Sequence, residues 1–277
     1  MNRVLNRYIC EPHTMPYIQT DHRFHYTEQS GLGRPIVMIH STGIGSRQWT
    51  SYFKLIDSRP LLAIDLLGYS PSDPWNEAIP ICADLEGAQK LILSQNEPVD
   101  IIGHSYGGFI AMQIAKNHPS AVRSMLLHEP VAWGSLFSSE KEHLKEEFNQ
   151  ICDLFFSQKD TKYDDWLNGF IDFWNWPGCW NQLPEKTKII WRTQFSKVYA
   201  EVSSLCLDRT PLSYWSSIKQ PAWITLSSGA PEPEKEVCRL LSQTIPNAKL
   251  LKHSGGHLSP MTHFTNLTPF IKQWLKQ

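Results

Sequence analysis

The stretch Val99-Asp100-Ile101-Ile102-Gly103-His104-Ser105-Tyr106-Gly107-Gly108 constrains this chain more than any other. An apolar run, short enough for a buried strand, ends in Gly-x-Ser-x-Gly, and Phe109 to Ala115 then follows at helical spacing. A strand that turns directly into a helix with a serine at the apex is a strained connection. Only small residues fit beside the serine, and Gly103 and Gly107 supply them. The turn lifts Ser105 above the sheet edge, where a hydroxyl can act as a nucleophile.

The same rhythm extends on both sides. Residues 35–40, 61–64, 122–128, 221–226 and 249–252 are apolar enough to be strands, and 17–20 with 23–27 form a candidate antiparallel pair. Between them, 47–56, 83–93, 109–115, 234–243 and 262–274 carry apolar residues at helical spacing. Strands alternating with amphipathic helices predict an α/β fold with a mostly parallel sheet covered on both faces. The rhythm breaks between about 131 and 217, where the chain is helical and holds seven of the eleven tryptophans. This segment is expected to be an insertion that caps the sheet. Residues 1–14 show no pattern and are expected to be an extension, with the domain proper over 15–277.

Composition excludes several classes. The formal net charge is −1, so no basic field favours nucleic acid or an anionic membrane surface. No apolar run reaches the roughly 20 residues of a bilayer span, and residues 1–12 lack the apolar core of a secretory signal. The six cysteines are scattered without a CxxC pair. They read as free thiols of a cytoplasmic protein, and their spacing offers no metal site. Residues 103–108 lack the G-x-G-x-x-G spacing of a dinucleotide fingerprint, so no cofactor is expected.

Three motifs, Ile39-His40-Ser41-Thr42-Gly43, Gly103-His104-Ser105-Tyr106-Gly107-Gly108 and Gly255-Gly256-His257, together resemble the α/β-hydrolase superfamily over about 15–277. The resemblance implies an eight-stranded sheet with a helical cap, and hydrolysis through a covalent ester intermediate on a Ser–acid–His triad in that chain order. Ser105 in turn excludes relatives whose nucleophile is an aspartate.

A serine hydroxyl needs a base to take its proton. Of the eleven histidines, His257 is the candidate, in a glycine-flanked loop before the last helix, and His263 is its rival. His40 and His104 read as structural. The acid must hold the histidine tautomer. The family's usual place for it, the loop after the 221–226 strand, contains no aspartate, only Glu232 at a helix start. Some relatives instead carry the acid at the tip of the preceding strand, where Glu129 stands twenty-four residues after Ser105. Glu129 is therefore the first candidate and Glu232 the alternative, while Asp65 resembles a structural aspartate of the family. The oxyanion needs two backbone N–H donors. Tyr106 follows the nucleophile at a helix N-terminus, and Thr42, with Ser41 as alternative, stands where relatives commonly have glycine.

These residues predict a serine hydrolase that cleaves a carboxylic ester, thioester or lactone of a small to medium apolar acyl or aryl substrate, since an aromatic cap favours an apolar pocket. Two alternatives share the parts: a carbon–carbon bond hydrolase using the same triad, and a non-catalytic ligand receptor of the same fold.

Overall fold

In the computed structural model, which describes residues 15–157 and 163–277, the apolar runs pair into one eight-stranded sheet of order β1-β2-β4-β3-β5-β6-β7-β8. The strands are β1 (Tyr17–Gln19), β2 (Arg23–Gln29), β3 (Ile36–Ile39), β4 (Leu61–Ile64), β5 (Val99–His104), β6 (Val122–His128), β7 (Ala222–Ser227) and β8 (Ala248–His253). β1, β2 and β4 pair antiparallel, and the remaining neighbours are parallel. Every residue of β3, β4, β5 and β7 is buried, as a parallel sheet with both faces covered requires. The period of two sends Val37 and Ile39 into one core and Ile36 and Met38 into the other.

Helices fill the connections. α1 (Thr50–Leu55) continues a 3-10 turn over Ser46–Trp49, and α2 (Ala83–Leu93) and α3 (Tyr106–Asn117) flank β5 in sequence. Between β6 and β7 come α4 (Glu142–Ser157), α5 (Tyr163–Trp174), α6 (Cys179–Gln182), α7 (Glu185–Thr193) and α8 (Phe195–Leu207). α9 (Glu232–Thr244) joins β7 to β8, and α10 (Ser259–Thr262) and α11 (Phe264–Trp274) end the chain. The sequence pattern predicts one helix over 262–274. Instead the backbone leaves the helical region at His263 (φ −130°, ψ 37°), because Pro260 starts a separate short turn that ends there. Among the described residues no helix is long and apolar enough to cross a membrane, and Cys82, Cys152, Cys179, Cys206 and Cys238 are free thiols. The expected extension 1–14 lies outside the described residues.

Parallel strands bring β3, β5, β6 and β7 to one sheet edge at their C-terminal ends. The loops that leave this edge carry His40 to Gly45, Ser105, Glu129 and, beyond β8, His257.

Candidate active site

Ser105 sits between β5 and α3 with φ 54° and ψ −118°, a conformation that L residues avoid. Packing enforces it. A Cβ on Gly107 would lie 2.1 Å from the carbonyl oxygen of Ile39, and one on Gly103 would lie 2.8 Å from that of Gly107. The two glycines thus let α3 settle against β3 and β5 while the serine takes the strain. Its own amide donates to the His128 carbonyl at 2.9 Å.

Glu129 is the other non-glycine residue with positive φ, at 43°, among the described residues. It directly follows β6 and is fully buried. Its Oε1 accepts hydrogen bonds from the Ser227 amide (2.8 Å) and hydroxyl (2.6 Å), and its Oε2 lies 2.7 Å from His257 Nδ1. A buried carboxylate is tolerated where several donors meet it. Glu232 is elsewhere: it lies near the surface at the start of α9 and pairs with Lys235 at 2.7 Å. His263, the rival base, is exposed and bonds the neighbouring Thr262 hydroxyl.

His257 is 97% buried. The His128 ring meets its carbonyl at 3.1 Å, and Trp174 of α5 stacks on its imidazole with 3.7 Å between centroids and 20° between planes. Burial lowers its pKa to about 3, so the ring is neutral. With the Nδ1 proton directed at Glu129, the Nε2 lone pair is free to accept one.

Ser105 and His257 line one cavity together with Ser41, Thr42, Trp174 and Asn175. Apolar groups complete it, Val131, Phe170 and Leu205 among them, and among the described residues no lysine, arginine, aspartate or glutamate side chain lines it. About 30 Å³ of it is open, room for one water.

Three consecutive amides follow His40. The first, on Ser41, donates to Gln48 Oε1 at 3.2 Å, and the third, on Gly43, donates to the Tyr69 hydroxyl at 2.8 Å. Thr42 is the middle one. His40 and His104 are braces, as expected: His40 Nε2 accepts from the Leu66 amide at 3.0 Å, and His104 Nδ1 meets Gln48 Oε1 at 3.1 Å. Asp65 accepts from Ser46 and faces His25, away from His257's partners.

One group of residues escaped the sequence reading. Asp84 of α2 and Lys197 and Glu201 of α8 form a buried ion-pair cluster behind the loop 40–45. The Lys197 ammonium bonds Asp84 and lies 3.3 Å from Glu201. Burial and Asp84 push the Glu201 carboxyl up to about 7 despite the pull of Lys197. Burial and the same carboxylates hold the Tyr69 and Tyr106 phenols well above their ordinary values, so both hydroxyls donate. The only hint in the sequence was a Lys–Glu pair four residues apart on an otherwise apolar helix.

A family model for the alpha/beta hydrolase fold matches residues 34–165. The chain is similar to 2-hydroxymuconate semialdehyde hydrolase of Pseudomonas sp. (strain CF600), with 33% identity over 113 residues that cover 35% of this chain and 37% of that protein. It is also similar to Lipase LipV of Mycobacterium tuberculosis (strain ATCC 25618 / H37Rv), with 33% identity over 102 residues covering 36% and 38%. The chain thus spans about a quarter to two fifths of the length of the curated relatives it matches. Among solved structures, its backbone resembles Est816, described as an N-acyl homoserine lactone degrading enzyme, with TM-score 0.70 at 18% identity, covering 93% of this chain and 99% of that one. The chain has the α/β-hydrolase fold, and its residues 34–165 are similar to that family.

Proposed function

We propose that this protein is a serine hydrolase that cleaves a carboxylic ester, thioester or lactone of an uncharged, apolar acyl or aryl substrate. The observation that carries this reading is that Ser105 and His257 line one cavity while Glu129 meets His257 Nδ1 at 2.7 Å. Ser105 Oγ attacks the carbonyl carbon as His257 Nε2 takes its proton, and Glu129 stabilises the imidazolium that forms. The carbonyl oxygen becomes an oxyanion held by the Thr42 and Tyr106 amides. Support for Thr42 over Ser41 comes from the hydrogen bond that already occupies the Ser41 amide. Tyr106 opens α3, where unpaired amides and the helix dipole favour negative charge. Collapse expels the alcohol or thiol, which takes the proton from His257. A water then attacks the acyl-enzyme with His257 as base, releasing the acid and restoring Ser105.

The residues between β6 and β7 serve as a cap over 131–217 in this reading. The uncharged lining sets the substrate class, because a buried anionic or cationic group would lose its hydration with no partner. With only about 30 Å³ open, against the roughly 300 Å³ of the smaller ligand sites, α5 and its Trp174 must shift for a substrate to enter. The match to a protein named 2-hydroxymuconate semialdehyde hydrolase favours the second reading, a carbon–carbon bond hydrolase on the same triad.

A fluorophosphonate probe tests the proposal. Wild type should be labelled and Ser105→Ala should not, and equal labelling of the two would overturn it. A panel of nitrophenyl esters against β-diketone-like substrates separates the two readings, since a carbon–carbon hydrolase turns simple esters over weakly.

A further inference from the structure

The loop that follows β3 has little to hold its shape. Gly43 and Gly45 both adopt left-handed backbone (φ 78° and 82°), and the residue after His40 is serine, not the family's common glycine. A donor amide in such a loop is useful only if it is aimed at the oxyanion before the reaction starts. The structure pins this loop from the helices between β6 and β7. Trp191 of α7 lies over Gly43, where a Cβ would meet its ring at 2.1 Å. The Tyr69 hydroxyl accepts from the Gly43 amide at 2.8 Å and donates to Glu201, 3.0 Å from each carboxylate oxygen. The Thr42 hydroxyl also faces Glu201 and favours its charged form.

The cluster does not stop there. Lys197 links Glu201 to Asp84, and Asp84 accepts from the Tyr106 hydroxyl at 3.2 Å and the Leu67 amide at 3.0 Å. The two residues that supply the proposed oxyanion donors, Thr42 and Tyr106, therefore stand at the two ends of one buried chain of charges. All three ionisable members are at least 96% buried. Desolvating two carboxylates and an ammonium is costly, and apolar side chains of similar size would commonly be at least as stable. What such a chain provides instead is fixed geometry.

We infer that Glu201, acting through Tyr69, is a positioning residue that aims the Thr42 amide at the oxyanion, so that the helical segment which covers the cavity also sets the oxyanion hole. Glu201 does not touch the substrate. The inference rests on the serine-hydrolase reading. A role of this kind acts on the transition state and leaves ground-state binding nearly alone.

The experiment compares wild type, Glu201→Leu, Glu201→Gln, Tyr69→Phe and Ser105→Ala on a nitrophenyl ester, with Tm recorded for each. Glu201→Leu should lose about 10- to 100-fold in kcat with KM within about threefold of wild type. Glu201→Gln keeps an acceptor for Tyr69 and should retain most of the rate. A boronic acid, which forms a tetrahedral adduct on the serine, should lose affinity for Glu201→Leu in parallel with kcat. A folded Glu201→Leu protein with wild-type kcat, or a loss confined to KM, overturns the inference. Should Glu201→Leu not fold, Tyr69→Phe decides, with a kcat loss of about tenfold expected and an unchanged kcat overturning it. Ser105→Ala separates the two failures: turnover near the wild-type rate there defeats the hydrolase reading itself, whereas a Ser105→Ala protein that has lost nearly all its rate beside a fully active Glu201→Leu defeats only the positioning role.

Discussion

At the scale of single residues, Ser105 and His257 stand out in the sequence as candidates because each is announced by its neighbours. Glycines that must be small flank the first, and two glycines in a loop precede the second. Glu129 was harder to read, because nothing beside it in sequence marks its role. Its carboxylate reaches His257 through a backbone with φ 43° and two hydrogen bonds from Ser227, ninety-eight residues away. Ser227 ends β7, next to the loop where the family usually keeps its acid, and here it orients the carboxylate. Replacing Glu129 by Gln leaves the shape but removes the acceptor that fixes the imidazole tautomer. kcat should fall by about 10³- to 10⁴-fold, while Glu232→Gln should stay within about twofold of wild type, as expected for an exposed pair. Steady-state kinetics on the two purified variants check the ranking, and the reverse order would move the acid to α9.

At the scale of elements, the strands and flanking helices followed from periodicity because both faces of the central strands are buried. The helices between β6 and β7 were recognisable as helical and aromatic, but not in their placement. The sequence left Trp174 as one tryptophan in a cluster; in the structure it ends α5 stacked on the catalytic candidate His257. Its indole fills space that a substrate must take. Trp174→Ala should therefore favour long acyl chains, raising the ratio of kcat/KM for a long nitrophenyl ester over the acetate by about tenfold. It should also lower stability by about 3 kcal/mol, since the ring is 95% buried. An acyl-chain panel and a urea titration measure both, and an unchanged chain-length preference would place the ring outside the substrate's path.

At the scale of the whole molecule, the buried charges make stability depend on pH. Glu201 has its pKa raised from 4.5 to about 7 in the folded protein. Between these values the folded state holds a proton that the unfolded state has lost. Its contribution to stability is complete below about pH 4.5, fades as pH rises through 7, and is gone above. Glutamine does not titrate, so the Tm of Glu201→Gln relative to wild type should rise between pH 5 and pH 8. Thermal melts at the two pH values test this; an equal difference at both would show that Glu201 does not hold a proton in the native state.

Local grammar by itself determined that this chain builds an α/β sheet with a serine raised on a strained turn and a histidine in a late glycine loop, because turns and periodicity act over a few residues. Only the tertiary structure decided which carboxylate meets that histidine, which aromatic ring covers it and which buried charges stand behind the loop at 40–45. Those pairings join positions about 80 to 130 residues apart in sequence. They exist only after parallel strands carry their C-terminal ends to one edge, and no short-range pattern records that meeting.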